Sequence, residues 1–211
     1  MNANTQRLFV AGPAGQIECA VDLPAMPPAG ASGTAVICHP HPQHGGTMDN
    51  KVVQTIARAV LQLGWRSVRF NFRGIGASQG GWDDGVGEID DAMAVIDAQR
   101  NPDAPLLLAG FSFGAYVASQ AALRLPDGAK AAQLVLVGPS TEKQAMPAVP
   151  PETVVVHGEV DDVVPLSATL AWARPQSLPV IVLPGVGHFF HGQLGLLKTV
   201  IVRELLGRAA L

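Results

Sequence analysis

The 211-residue chain is 48% hydrophobic and only 15% charged, and its formal net charge is −3. These values are typical of one globular domain, expected to cover residues 1–211, and they argue against a disordered arm. The sequence has no basic run that could follow a phosphate backbone, so we expect no nucleic-acid partner.

Two segments bear on location. The first seven residues are polar and lack the apolar core of a secretory signal, which predicts a cytoplasmic protein. Residues 104–123 carry no charge and are long enough to cross a bilayer as a helix. Pro105, Gly110 and Gly114 interrupt this stretch, however, and favour a strand followed by a core-facing helix. We therefore expect no membrane partner.

The predicted elements begin with a strand pair, residues 7–12 and 16–23, followed by a proline-rich loop over 24–32. From there apolar strands alternate with helices. The strands are 34–38, 65–72, 106–111, 134–137, 153–157 and 180–183, and the helices are 51–63, 88–99, 115–123, 166–173 and 196–206. Cys19 and Cys38 lie in strands and are expected to be buried free thiols. The pattern predicts an α/β fold: a mostly parallel, twisted sheet of about eight strands with helices on both faces and an antiparallel N-terminal edge.

The connection between the strands at 134–137 and 153–157 departs from this alternation. Residues 138–152 contain four prolines and have room for at most one turn of helix. A lid, meaning an inserted domain that covers a functional site, would be placed in this connection. We therefore expect a lidless protein with an open site.

Residues 110–114, with the sequence GFSFG, lie between a predicted strand and a predicted helix. A G-x-S-x-G motif in that context is typical of a nucleophilic serine on a sharp turn, the nucleophile elbow. Glycines at both ends avoid Cβ collisions, and the helix N-terminus offers free N–H groups to an anion at the serine. The alternative is a simple Gly-Ser turn in a buried crossover. The strand, turn and helix order favours Ser112 as a catalytic nucleophile.

A catalytic serine needs a histidine to accept its proton and a carboxylate to hold that histidine. In an open parallel sheet these groups come from loops at the carboxyl ends of the strands. The loop after strand 153–157 offers Asp161 and Asp162, and the loop after 180–183 offers His188 and His191. His188 is preferred because it directly follows its strand. The order serine, acid, histidine is that of a hydrolase built on such a sheet.

The oxyanion of the tetrahedral intermediate also needs two N–H donors. Phe113 supplies one by its position directly after the serine. The second is expected from the loop after strand 34–38. Pro40 and Pro42 have no N–H, so the residues themselves leave His39 and His41 as alternatives.

Five segments together resemble the α/β-hydrolase superfamily, specifically small lidless serine hydrolases distantly related to dienelactone hydrolases. They are residues 37–46, 70–78, 110–114, 157–165 and 185–189, and the resemblance covers nearly the whole chain. It implies a carboxylesterase-like serine hydrolase that cleaves a small ester or related acyl compound without a cofactor. Dienelactone hydrolases have a cysteine nucleophile where this chain has Ser112, so their substrate is not implied.

The same resemblance implies two roles that the residues alone leave open. The G-x-x-D-x-x-x-P spacing from Gly158 to Pro165 selects Asp161 as the acid. The family's alignment of the first loop selects the main-chain N–H of His41 as the second oxyanion donor.

Other interpretations are less favoured. A metal site at His39, His41 and His44 is opposed by the intervening prolines and by the lack of a completing cysteine or carboxylate pair, so we expect no metal. A nicotinamide loop at 74–76 lacks its third glycine, since residue 79 is glutamine, and we expect no cofactor. Acyl transfer or perhydrolysis on the same three residues, and a non-catalytic binding protein with a hydrolase fold, remain as alternatives. Substrate-binding residues, acyl length and oligomeric state are left open.

Overall fold

A computed structural model describes residues 5–26 and 33–209. Within them, eight strands form one sheet in the order β1-β2-β4-β3-β5-β6-β7-β8. The strands are β1 (Gln6–Gly12), β2 (Gly15–Asp22), β3 (Thr34–Cys38), β4 (Arg66–Phe70), β5 (Leu106–Phe111), β6 (Gln133–Val137), β7 (Val154–Gly158) and β8 (Ile181–Leu183). Strand β2 pairs antiparallel with both β1 and β4, and all other pairs are parallel. The predicted fold class is confirmed. Residues 27–32 of the predicted proline-rich loop lie outside the described residues.

Five helices cover the two faces of the sheet in the described part of the chain. They are α1 (Lys51–Gln62), α2 (Val86–Gln99), α3 (Phe113–Arg124), α4 (Leu166–Ala173) and α5 (Leu194–Ala209). Buried side chains of α1 and α5 belong to one apolar cluster, and those of α2, α3 and the end of α4 belong to a second. Because helices occupy both faces, a site must lie beyond the ends of the strands.

Strand β3 shows why the central strands are continuously apolar. Ala35 and Ile37 point into the cluster beneath α1 and α5, whereas Val36 and Cys38 point into the opposite cluster. Successive strand residues alternate between faces, so a strand covered on both faces needs apolar residues at every position.

Strand β4 is shorter than the predicted strand 65–72. Beyond its last residue, the N–H of Phe72 donates to the Nε2 atom of His39 at 3.0 Å, and the N–H of Arg73 donates to the Asp91 carboxylate at 3.0 Å. Side chains thus replace a neighbouring strand as hydrogen-bond partners. Arg73 also forms a buried ion pair with Asp91 at 2.8 Å.

The connection from β6 to β7, residues 138–153, contains neither helix nor strand. No lid domain is inserted there, as predicted.

Both cysteines are buried free thiols, and burial raises the pKa of Cys19 to about 12. Among the described residues, no helix has both the length and the apolar character needed to span a membrane.

Candidate active site

Ser112 lies on the turn between β5 and α3 and has a φ of 57° and a ψ of −119°. Non-glycine residues rarely adopt a positive φ, and the strain persists only where surrounding contacts enforce it. Here the N–H of Ser112 donates to the Val137 carbonyl at 2.9 Å, and the Ser112 carbonyl accepts from the Ala115 N–H at 3.0 Å. The turn is therefore held from both the adjacent strand and the following helix.

The two glycines of the motif make close backbone approaches possible. A Cβ on Gly110 would collide with the Gly114 carbonyl in the first turn of α3. A Cβ on Gly114 would instead collide with the backbone carbonyls of Cys38 and His39 at the end of β3. Gly110 accordingly acts as expected, whereas Gly114 makes room for the neighbouring strand rather than for the serine turn.

His188 connects Ser112 to Asp161. Its Nε2 atom lies 3.1 Å from Ser112 Oγ, and its Nδ1 atom lies 2.7 Å from Asp161 Oδ2. An ionised carboxylate can only accept a hydrogen bond, so Nδ1 carries the proton. The unprotonated Nε2 can then accept a hydrogen bond from the serine hydroxyl. All three side chains are buried, with exposed fractions of 8%, 3% and 7% for Ser112, His188 and Asp161. The structure thus brings the three residues, each from a different strand end, within hydrogen-bond reach.

The other oxygen of Asp161, Oδ1, accepts from the N–H groups of Val163 at 2.9 Å and Val164 at 2.7 Å. Burial acts to raise the pKa of Asp161, but the hydrogen bonds from His188, Val164 and Val163 outweigh it and hold that pKa below its ordinary value of 3.8. The two less favoured candidates, Asp162 and His191, are both exposed to solvent.

Backbone contacts explain why the loops carrying Asp161 and His188 meet. The Glu159 N–H donates to the Leu183 carbonyl at 3.0 Å, and the Val160 N–H donates to the Val186 carbonyl at 3.1 Å. A Cβ on Gly158 would collide with that same Val186 carbonyl. The loop after β7 is therefore attached along the loop after β8.

The imidazole of His188 is also held by packing. The Phe111 ring lies 4.9 Å from it, centroid to centroid, and the Phe189 ring lies edge-on at 5.1 Å. Phe190, the next residue, is fully buried with a φ of 53°, and its N–H donates to the Gly187 carbonyl at 3.1 Å. These contacts favour one orientation of the ring.

Phe113 begins helix α3, where the first N–H groups have no intrahelical acceptor. Within the described residues, neither the N–H of Phe113 nor that of His41 donates to a backbone or side-chain acceptor. His41 lines the same cleft as Ser112. Neither N–H group is therefore taken by an acceptor in the described residues, and the assignment of Phe113 and His41 as oxyanion donors, with His41 chosen over His39, stays a prediction.

The side chain of His39 shapes the loop after β3. It accepts from the Phe72 N–H through Nε2, so its Nδ1–H donates to the Pro40 carbonyl at 2.6 Å. Burial lowers the pKa of His39 to about 3, and the ring stays neutral. Both nitrogens are therefore occupied, while the His41 and His44 rings stack at 4.5 Å. No cluster of His, Cys, Asp or Glu in the described ranges is arranged as a metal site.

A cleft of about 170 Å³ opens beside Ser112 and His188. Its remaining lining residues are Pro40, His41, His44, Gly45, Gly46, Asn50, Val163 and Phe189. Sequence analysis assigned none of them to substrate binding. For Phe189 and Val163 the sequence signal is proximity, because Phe189 follows His188 directly and Val163 lies two residues after Asp161. A cavity of about 270 Å³ near Gln133 lies at the amino ends of β6 and β7, away from this chemistry.

Comparison with known proteins agrees with the fold. A family model described as serine aminopeptidase, S33, matches residues 33–172, more than half of the chain. The chain belongs to this family of α/β serine hydrolases. An α/β serine hydrolase homologue from Coxiella burnetii is 42% identical, with a TM-score of 0.84 over 95% of this chain and 97% of that one.

Two further relatives extend the comparison. A lidless α/β serine hydrolase from Xanthomonas campestris is 37% identical, with a TM-score of 0.84 over 97% of this chain and 95% of that one. An uncharacterized protein of Rickettsia prowazekii is 42% identical over 124 residues, which are 57% of this chain and 51% of that protein. The match thus spans about half the length of this curated relative. The resemblance noted in the sequence is confirmed at the level of family and fold.

Proposed function

We propose that this protein is a serine esterase that hydrolyses small carboxylic esters or related acyl compounds through an acyl-enzyme on Ser112. The observation that carries the proposal is the continuous hydrogen-bond chain from Ser112 through His188 to Asp161. A serine hydroxyl becomes an effective nucleophile when a positioned base takes its proton, and a buried carboxylate keeps that base in the required tautomer.

In the proposed reaction, His188 accepts the hydroxyl proton as Ser112 Oγ attacks the ester carbonyl. The N–H groups of Phe113 and His41 bind the oxyanion that forms. His188 then protonates the leaving alcohol, and a water deprotonated by His188 cleaves the acyl-enzyme. Asp161 orients His188 and stabilises its imidazolium. Its lowered pKa keeps it ionised at neutral pH, as this role requires.

The backbone donors have a large expected effect. Removing one oxyanion donor typically costs about 2.7–4 kcal/mol of transition-state stabilisation, because such donors are fixed before the charge develops. The N-terminus of α3 begins at Phe113, so the positive end of the helix dipole lies at the same place.

The cleft supports a small acyl substrate. Its volume of about 170 Å³ is below the roughly 300–1,000 Å³ of pockets for drug-sized ligands. Its described lining residues include His41, His44 and Asn50 but no Asp or Glu. A peptide with a free amino terminus would bring an ammonium group that favours a carboxylate partner. The lining therefore favours esters with neutral or anionic acyl groups over aminopeptidase substrates.

A fluorophosphonate probe tests the mechanism, because it phosphonylates only an activated serine. We expect one adduct, mapped to Ser112 and absent in Ser112→Ala, together with turnover of short p-nitrophenyl esters. An adduct at another residue, or unchanged labelling of Ser112→Ala, would contradict the proposal.

Product analysis with competing thiols, alcohols and peroxide separates hydrolysis from acyl transfer and perhydrolysis. Absence of both labelling and turnover would indicate a binding protein instead. A cytoplasmic location and a single domain over residues 1–211 stay predictions.

A further inference from the structure

His157, at the end of β7, is fully buried and is not among the residues that line the cleft. Its Nε2 atom is 2.9 Å from the Val164 carbonyl oxygen and 3.5 Å from Asp161 Oδ2. The reaction proposed above does not use this imidazole. It nevertheless contacts the same carboxylate oxygen that binds His188.

The proton positions around His157 follow from its partners. A carbonyl oxygen can only accept, so Nε2 carries the proton. Burial lowers the pKa of His157, so the ring is neutral and Nδ1 must accept a hydrogen bond. Its partner at 3.2 Å is the hydroxyl of Thr169, which therefore donates to Nδ1. Thr169 in turn accepts from the Thr141 hydroxyl at 3.0 Å.

Val164 links the two sides of this arrangement. Its N–H donates to Asp161 Oδ1 at 2.7 Å, while its carbonyl accepts from His157. His157 thus contacts both the peptide segment that holds Oδ1 and the oxygen that holds His188. The titratable groups that interact with it are Asp161 and His188.

We infer that His157 is a positioning residue that, through the Val164 carbonyl and Asp161 Oδ2, fixes the orientation in which Asp161 binds His188. The threonine pair Thr141 and Thr169 completes the hydrogen bonding of the tautomer that this role requires. The inference rests on the proposed esterase function and adds a residue through which that function depends on the end of β7. His157 does not line the cleft, so its effect falls on kcat rather than on KM.

Two substitutions at His157 separate a positioning role from simple packing. His157→Leu puts an apolar side chain without a donor in place of the imidazole. We expect kcat on p-nitrophenyl acetate to fall about 10-fold at unchanged KM. This loss is below the roughly 10²-fold that a misplacement of about 1 Å can cause. The acid limb of kcat/KM should move to lower pH, because a misoriented carboxylate stabilises the His188 imidazolium less. His157→Gln can keep an N–H near the Nε2 position and should recover most of the activity and the wild-type profile.

Two matched variants, Thr169→Val and Thr55→Val, provide the control. Thr169→Val removes the donor to Nδ1 without a large change in shape, and kcat should fall about threefold, the effect of one ordinary hydrogen bond. Thr55→Val removes another buried hydroxyl, bonded to the Lys51 carbonyl in α1, and should leave kcat unchanged. If His157→Leu does not fold, this pair decides the question. Equal kcat values for Thr169→Val and Thr55→Val would then overturn the inference.

Side-chain ¹⁵N NMR of the wild-type protein gives an independent readout. We expect the Nε2–H tautomer for the resonance that disappears in His157→Gln. The Nδ1–H tautomer, or a folded His157→Leu with wild-type kcat and pH profile, would overturn the inference while leaving the esterase proposal intact. Failure of the esterase proposal would differ, because the wild-type protein itself would show neither Ser112 labelling nor ester turnover.

Discussion

Replacement of Asp161 by asparagine gives the sharpest test of the proposed mechanism. The carboxylate accepts three short hydrogen bonds: Oδ1 from the N–H groups of Val163 and Val164, and Oδ2 from Nδ1–H of His188. An asparagine has one acceptor oxygen. That oxygen is expected to face the two fixed backbone donors, which turns the NH₂ group towards His188.

The consequence for His188 follows directly. An NH₂ group can only donate, so Nδ1 must become the acceptor and the imidazole proton moves to Nε2. Nε2 then faces Ser112 Oγ, 3.1 Å away, with a proton instead of a lone pair. The serine loses its base while the geometry is kept. We expect kcat/KM for p-nitrophenyl acetate to fall about 10⁴-fold, or about 5.4 kcal/mol in activation free energy.

The neighbouring residue supplies the control. Asp162 is exposed, so Asp162→Asn should stay within about twofold of wild type. Steady-state hydrolysis and the rate of fluorophosphonate labelling should fall together in an Asp161→Asn protein that remains folded. A folded Asp161→Asn protein that retains more than about one tenth of wild-type kcat/KM would refute the reasoning.

Three further predictions follow from other parts of the structure. Gly114→Ala should destabilise the protein by more than about 3 kcal/mol in chemical denaturation, because its Cβ would collide with rigid backbone carbonyls of β3; near-wild-type stability would contradict this. Phe189→Ala should widen the cleft and raise kcat/KM for octanoate relative to butyrate esters roughly 10-fold, and an unchanged ratio would exclude Phe189 as a wall of the acyl site. His39 is neutral when folded, with a pKa of about 3, but becomes protonated below pH 6.5 when unfolded, so its contribution to stability is present above pH 6.5 and is lost as the pH falls towards 3. The unfolding free energy of His39→Asn should therefore fall less steeply than that of wild type between pH 6 and 4, by roughly 1.4 kcal/mol per pH unit, and parallel slopes would contradict the assignment.

The elements that sequence predicted well are those governed by local rules. Both faces of β3 and β5 are covered, and this produces the uninterrupted apolar runs that predicted them. The turn at Ser112 depends on a five-residue motif and was placed correctly between strand and helix. The role of Gly114 was misjudged because its constraint comes from Cys38 and His39, more than seventy residues earlier in the chain.

The site was harder to predict where adjacent residues compete. Asp161 and Asp162 are chemically equivalent in sequence, and only the turn held by the N–H groups of Val163 and Val164 directs Asp161 towards His188. The walls of the cleft come from separate loops, as Asn50 and Phe189 illustrate. Their proximity depends on tertiary packing, which spacing along the chain does not encode.

The short connection between β6 and β7 has a consequence for which molecules can react. In the part of the chain that the structure describes, residues 138–153 add no covering domain, so only the part of a molecule that enters the small cleft would be enclosed and the rest would extend into solvent. An ester would then be selected by its acyl half, while its alcohol half could be large, charged or attached to a polymer. Turnover would need no opening movement. Product should therefore form from the first cycle, without a lag.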